Sequence, residues 1–533
     1  MNSACGYYVV GSGPSGVIAA QTLLEGGASV TLLDVGQECE PEIRSVVEAL
    51  SRQPRDAWDP AMLAKIDRSA PEAGIPRKLC YGSDFPYAEE ESIGLTQEGT
   101  RCLLSHARGG LSNVWGASVL PALPDDLRDW PVGPAEMAPH YEAVARVLQI
   151  AGAHDELETL FPYHHPPRKA VGLSRQAQAL LIRMRSSRPT LNAQGIHFGQ
   201  SRLAVRTEAG EGGRPCQRVG RCLTGCPYGA IWNAADRLDI LKRHPRFAYR
   251  NKIVVRRLEQ QANGRVRIHA VLADSQEAVS FDAGRVFLGC GPLSTARIVI
   301  DSLPAHDREF RLQFQPYFLL PLLSFRRQPD VDREDLHTLA QLYIEILDAE
   351  ISAHPVHLQI YTFNELAHAR LRRAARWFGY FRQAVVRQLA GRLLVIQGYL
   401  DSSECRGIEL RAFPDRAGGG SHLRLRAVPS PETGRKIGHV ARKLLKNAGK
   451  IGAFPLLPLM QTGTPGDGNH IGGIFPMRRA PERFESDILG RLPDMPGVHI
   501  VDASVLPTLP STTFTYTMMA NARRIAMETL RHL

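Results

Sequence analysis

Near its start the chain reads Tyr7-Tyr8-Val9-Val10-Gly11-Ser12-Gly13-Pro14-Ser15-Gly16, and Val17 to Leu24 follow with helical composition. This is strand, tight turn, helix. Gly11 permits the turn, Gly13 lets the backbone approach a pyrophosphate, and Gly16 lets helix and strand pack closely. Ser12 and Ser15 lie inside the same turn, beside a helix N-terminus whose amides and partial positive charge suit an anion. A second apolar run, 28–33, ends in Asp34, 18 residues beyond Gly16, where a carboxylate can accept both ribose hydroxyls of an adenosine. The glycine pattern alone is weak; strand context and the acid at this distance make it a dinucleotide site.

At 533 residues the chain exceeds one ordinary domain, which predicts two or three packed ones. Hydrophobic content of 44% and charged content of 22% are those of a globular protein. There is no uninterrupted apolar run of about 18 residues, so a transmembrane helix is not expected. With the first strand starting by residue 7, no secretory leader is expected either. The expected location is cytoplasmic, or membrane-associated, or exported together with a partner that carries the signal. The net charge of +10 is spread through 180–260 and 365–395 without an aromatic-basic nucleic-acid motif, so no nucleic-acid partner is expected. Nine unevenly spaced cysteines do not form a disulfide framework in a chain this long.

Residues 40–95 mix acids, prolines and short apolar runs and read as irregular covering structure. Arg108-Gly109-Gly110-Leu111-Ser112-Asn113-Val114-Trp115-Gly116 is a second Gly-rich turn, where backbone and small polar groups suit a flat ring system. Residues 151–215 are basic and loop-rich, while 251–255 and 285–291 have strand character, the latter opening into a helix near Ser294. Alternation returns at 356–361 and 393–399, predicting a separate antiparallel sheet within 305–465. Between them 365–392 reads as an Arg-rich helical insertion carrying Trp377, Phe378, Tyr380 and Phe381. These aromatics are expected to pack on the sheet, with docking to a membrane surface or partner as the alternative.

Five segments then fall in a telling order: Gly11 to Gly16, Gly109 to Gly116, Phe287 to Arg297, Gly468-Asn469-His470-Ile471-Gly472-Gly473, and Val501-Asp502-Ala503-Ser504-Val505-Leu506-Pro507. In this order the chain resembles the glucose-methanol-choline oxidoreductases over nearly its whole length. The resemblance implies an α/β protein with FAD. Its Rossmann-like, doubly wound βαβ domain would take residues 1–304 and the C-terminal return 466–533, and an α+β substrate domain on a six-stranded antiparallel sheet would take 305–465. It implies that His470 takes the hydroxyl proton of an alcohol while hydride passes to the flavin, a task suited to imidazole near neutral pH. The family's second catalytic position, His or Asn, falls on Thr513, which can hydrogen-bond but cannot serve as a base. Gly11, Ser12, Gly13, Ser15, Gly16 and Asp34 would hold the pyrophosphate and ribose, and backbone near Val254 the adenine. Gly109, Gly110, Ser112, Asn113, Trp115, Gly116, Gly291, Asp502, Ala503 and Phe514 would surround the rest of the cofactor.

Cys216, Cys222 and Cys226, the last followed by Pro227, place three thiols in eleven residues. Their C-x5-C-x3-C-P spacing is similar to the catalytic subunit of bacterial FAD-dependent glucose dehydrogenases, which implies a three-iron iron-sulfur cluster. Incidental free thiols stand level with that reading. With the cluster, electrons would pass to an external electron-acceptor protein, making the chain a dehydrogenase of an alcohol or sugar hydroxyl. Two alternatives stay open: an altered active site that performs another C–H oxidation, desaturation or isomerisation, and a flavin subunit that only relays electrons.

Overall fold

The computed structural model describes residues 6–67, 78–209, 213–303, 305, 308–414 and 420–532, excepting the side chains of 365, 378 and 381. Five parallel strands form the first sheet, in the order Val498–Ile500, Arg285–Leu288, Tyr7–Val10, Val30–Leu33, Phe247–Arg250. The N-terminal run therefore sits centrally, and a strand from nearly 500 residues later lies two places away, beyond Arg285–Leu288. Apolar runs without alternation suit such a sheet, because both of its faces are covered. Helix Pro14–Glu25 packs on it, and Thr515–Arg531 packs against that helix.

A second sheet is wholly antiparallel, in the order Ala453–Pro455, Tyr317–Ser324, Leu393–Tyr399, Val356–Tyr361, Leu342–Ile346, Ile196–Gln200, with Gln461–Thr462 also paired to Tyr317–Ser324. Its two faces differ in chemistry, as a period of two demands. Phe318, Leu320, Leu342, Ile344, Leu358, Ile360, Leu394 and Ile396 point into one apolar core. That core is closed by helix Arg175–Ser186 and by helix Pro431–Lys446, which contributes Ile437, Val440, Ala441 and Leu444 at helical spacing. Tyr317, Gln359, Tyr361, Gln397 and Tyr399 come from the opposite face and line a cavity.

Several sequence expectations need correction. The stretch 151–215 is not merely loop: it supplies helix Arg175–Ser186 and the strand Ile196–Gln200, so the second sheet draws on residues outside 305–465. Residues 40–95 contain helices Pro41–Ser51 and Pro60–Ile66, whose Val46, Leu50 and Ile66 share a small core with Trp58, Val219 and Tyr228. Such short helices bury too few apolar positions to announce a period. The insertion is two helices, Glu365–Ala374 and Arg382–Ala390, broken where Gly379 takes φ 49° and ψ −124°. Trp377 and Tyr380 do not pack on the sheet, being 81% and 97% exposed, and the side chains of Phe378 and Phe381 lie outside those described.

Candidate active site

A cavity of about 370 Å³ runs from the Gly11 turn to His470. At one end Gly11 takes φ 94°, and a Cβ there would lie 2.8 Å from the Cys290 Cα and the Gly289 carbonyl oxygen. Gly13 begins helix Pro14–Glu25, and no side chain caps it. The first-turn amides are thus left facing the cavity mouth, where a pyrophosphate fits. Asp34 is buried, and the hydroxyls of Ser12 and Tyr249 both donate to its Oδ2, at 2.5 and 3.1 Å. The backbone amide of Ser12 faces this carboxyl as well. Burial pushes this carboxyl up to about 6, against the lowering effect of those donors.

Ser15, Gly110, Ser112, Trp115, Gly116, Val254, Gly291, Ala503 and Phe514 line the same cavity, beside Gly11, Ser12, Gly13 and Asp34. Gly16, Gly109 and Asn113 do not, and each holds the loops instead. A Cβ on Gly16 would sit 2.0 Å from the Gly11 carbonyl oxygen, so this glycine keeps helix and turn in contact. The Gly109 amide donates to Ser12 Oγ at 2.9 Å, joining the two Gly-rich turns. The Asn113 amide donates to the carbonyls of Arg108 and Gly110, and its oxygen accepts from Asn233. Asp502 does line the cavity, but its carboxylate accepts from the amides of Gly291 and Ser504 and the hydroxyl of Thr295. It ties the C-terminal segment to the loop after the strand Arg285–Leu288.

At the far end His470 follows a turn in which Gly466, Gly468 and Asn469 all have positive φ, and its carbonyl accepts from the Gln315 amide at 3.1 Å. The imidazole lies between Tyr399 and Phe514, at centroid distances of 5.0 and 5.3 Å. Its Nδ1 is buried without a hydrogen-bond partner, leaving Nε2 as the nitrogen toward the cavity. Burial pushes the ring down to about 4, helped by repulsion from His357 and Lys78, so it is neutral at physiological pH and able to accept a proton. Thr513 lines the cavity as well, but its hydroxyl donates to the Ser118 carbonyl at 2.8 Å, so only its lone pairs are left for a substrate.

Polar groups of the antiparallel sheet complete this end. Tyr361 donates to Gln359 Oε1 at 2.9 Å, the Gln359 amide lies 3.2 Å from His357 Nε2, and His357 Nδ1 meets Glu345 Oε1 at 2.6 Å. Glu345 and His357 are fully buried behind the cavity wall. Sequence reasoning missed this line of residues, as well as Tyr317, Gln397 and Lys78. The alternation of strand 356–361 was visible, but nothing in it says which face is wet.

The cysteine segment lies apart from the cavity lining. The Cys222 sulfur accepts from the Thr338 amide at 3.4 Å, the Arg218 amide faces Cys216, and amides of residues 228–231 face Cys226. Burial nevertheless pushes Cys216 up to about 11 and raises Cys226. Among the described residues, the trio of possible ligands whose atoms lie within 4.8 Å of one another is Asp126, His354 and Asp401, not these three sulfurs.

No protein-family model matches the chain. Over 265 residues it is 26% identical to paromamine 6'-oxidase of Streptomyces fradiae, covering 47% of this chain and 41% of that protein. It is 25% identical over 310 residues to 6'''-hydroxyparomomycin C oxidase of Streptomyces lividus, covering 55% and 49%. The chain thus spans about half the length of the curated relatives it matches. Among solved structures it is similar to pyridoxine 4-oxidase from Mesorbium loti, with TM-score 0.60 and 16% identity, covering 99% of this chain and 100% of that one. At that identity the likeness is one of fold, a mixed α/β architecture shared end to end.

Proposed function

We propose that the chain is an FAD-dependent oxidoreductase of the glucose-methanol-choline type, acting on the CH–OH group of a small-molecule alcohol or sugar. The observation that carries this is the single cavity with an uncapped helix N-terminus at one end and a neutral, buried imidazole at the other. Bound there, FAD supplies the two-electron acceptor for the hydride leaving the carbinol carbon. His470 Nε2 takes the hydroxyl proton, so that alcohol becomes carbonyl and the electron pair of the C–H bond leaves with the hydride. Thr513, its own proton given to the Ser118 carbonyl, orients the substrate by accepting from a hydroxyl next to the reacting one, while Tyr361, Gln359 and Tyr399 shape the polar wall opposite. The curated relatives' names, paromamine 6'-oxidase and 6'''-hydroxyparomomycin C oxidase, support the reaction class. The test is extraction of the bound flavin and mass-spectrometric detection of carbonyl products from an alcohol and sugar panel. Colourless protein that FAD does not reconstitute would overturn it.

A second reading concerns where the electrons go. The relatives' names favour oxygen, whereas three sulfurs each facing backbone amides favour a three-iron cluster and an external acceptor protein. We expect anaerobically purified protein to contain about three irons per chain with acid-labile sulfide, and Cys226→Ser to lose them. Iron-free protein would leave the flavin reading standing and remove the cluster. Exposed Trp377 and Tyr380, amid seven arginines between 370 and 392, favour peripheral contact with an anionic membrane surface through 365–392. Co-sedimentation with phosphatidylserine vesicles should fall several-fold in a Trp377→Ala, Tyr380→Ala double variant; equal sedimentation would sink this contact.

A further inference from the structure

Asp126, His354 and Asp401 come from three separate segments and converge below the surface. Asp126 lies in the turn Pro124–Leu127, His354 in the loop entering strand Val356–Tyr361, and Asp401 just after strand Leu393–Tyr399. Their side-chain ligand atoms all lie within 4.8 Å of one another. The Asp126 side chain is 1% exposed and Asp401 fully buried, while the His354 side chain, at 27%, gives the site its opening.

Each group is held by one polar contact that leaves another atom aimed inward. Asp126 Oδ2 accepts from the Leu123 amide at 2.9 Å, and Asp401 Oδ1 accepts from the Ser403 amide at 2.7 Å. The His354 backbone donates to Ser352 Oγ, whose own hydroxyl donates to Glu404. Asp126 Oδ1, Asp401 Oδ2 and His354 Nδ1 are buried without hydrogen-bond partners. Two buried carboxylate oxygens facing each other are costly unless a cation lies between them. Two neighbouring cations are taken up elsewhere, His357 by Glu345 and Lys436 by Glu404. An imidazolium at His354 is the local cation, its Nδ1 in ion-pair contact with Asp126 Oδ1 at 3.7 Å, a separation too long for a hydrogen bond that leaves both atoms able to turn to a metal.

Donors at about 2.1 Å from a cation lie roughly 3–3.5 Å apart, so three ligand atoms within 4.8 Å of one another need draw together by only about an ångström to share one. We propose that Asp126, His354 and Asp401 bind a divalent transition cation, of the Mn²⁺ or Zn²⁺ class. Two carboxylate oxygens and one imidazole match that class, and three protein ligands leave room for water. The amide donors to Asp126 and Asp401 orient the ligands from behind. The cation would join the 124–127 turn to the ends of two strands of the antiparallel sheet, outside the lining of the His470 cavity, and so act as a staple.

The test titrates Mn²⁺ alone into the purified full-length flavoprotein and follows the loss of the free-ion electron paramagnetic resonance signal, a probe that buried thiols do not disturb. We expect one Mn²⁺ per chain, at least tenfold weaker binding in Asp401→Asn and in His354→Gln, and a Mn²⁺-dependent rise in melting temperature in the parent only. His354→Gln alters the partly exposed member, so it keeps the test valid should Asp401→Asn fail to fold. A parent chain that takes up no Mn²⁺, which would leave a bare imidazolium-carboxylate cluster, overturns the site. Unchanged affinity in His354→Gln overturns it too.

Discussion

His470→Gln should lower the rate of substrate oxidation by roughly 10²–10⁴-fold, the range for removal of a general base, while the FAD content of the protein stays unchanged. Glutamine keeps much of the volume between Tyr399 and Phe514 and can hydrogen-bond a substrate hydroxyl, but it cannot take a proton. The loss should therefore fall on kcat more than on KM, measured by single-turnover reduction. Because burial holds the imidazole near 4, the base is already deprotonated at neutral pH. The oxidation rate should accordingly be flat from neutrality downward and decline only as pH falls through the imidazole value, a limb absent from the glutamine variant. Stability follows the same sign. His140, His337, His470 and His499 all lie near 4, below the ordinary 6.5, so the unfolded chain binds protons first. Their contribution to stability is present above about 6.5 and is lost as pH falls toward 4.

Gly16→Val should abolish cofactor retention altogether. The first added carbon alone would lie 2.0 Å from the Gly11 carbonyl oxygen and 3.1 Å from its carbon, and both are backbone atoms that no rotamer change can move aside. Relief requires helix Pro14–Glu25 to back away from the turn, removing the first-turn amides from the pyrophosphate and costing about 1–3 kcal/mol in packing. Purified variant should be colourless and melt lower than the parent. Gly434→Ala is the matched control: it lies within helix Pro431–Lys446, a Cβ there meets nothing within 4 Å, and helix propensity favours it by up to about 1 kcal/mol. Flavin bound equally by the valine variant would contradict the role given to this helix.

What the sequence revealed and what it hid follow from how far apart the interacting residues lie. The turn at Gly11 to Gly16 was legible because close approach and positive φ demand glycine at fixed spacing. The strands 356–361 and 393–399 were legible through alternation, although the same alternation could not say that Gln359 and Tyr399 face a cavity while Leu358 and Ile396 face the core. Asn113 and Asp502 were picked out as site residues, but the sequence could not show that both also spend hydrogen bonds on neighbouring loops. The exposure of Trp377 and Tyr380 was hidden because aromatic residues at helical spacing look like core, and the break at Gly379 is a backbone event. Glu345 with His357, and Asp126 with His354 and Asp401, show nothing in sequence, since only the fold gathers residues separated by tens or hundreds of positions.

The cofactor glycines and the C-terminal imidazole matter jointly, so the most direct measurement watches both at once. Parent and His470→Gln proteins, each loaded with FAD, are mixed without oxygen against a panel of alcohols and sugars while the visible band of the oxidised flavin is followed. We expect the parent to bleach with at least one substrate and the variant to bleach at least about a hundredfold more slowly. Equal bleaching in the two proteins, or a parent that cannot be loaded with FAD at all, would contradict the assignment.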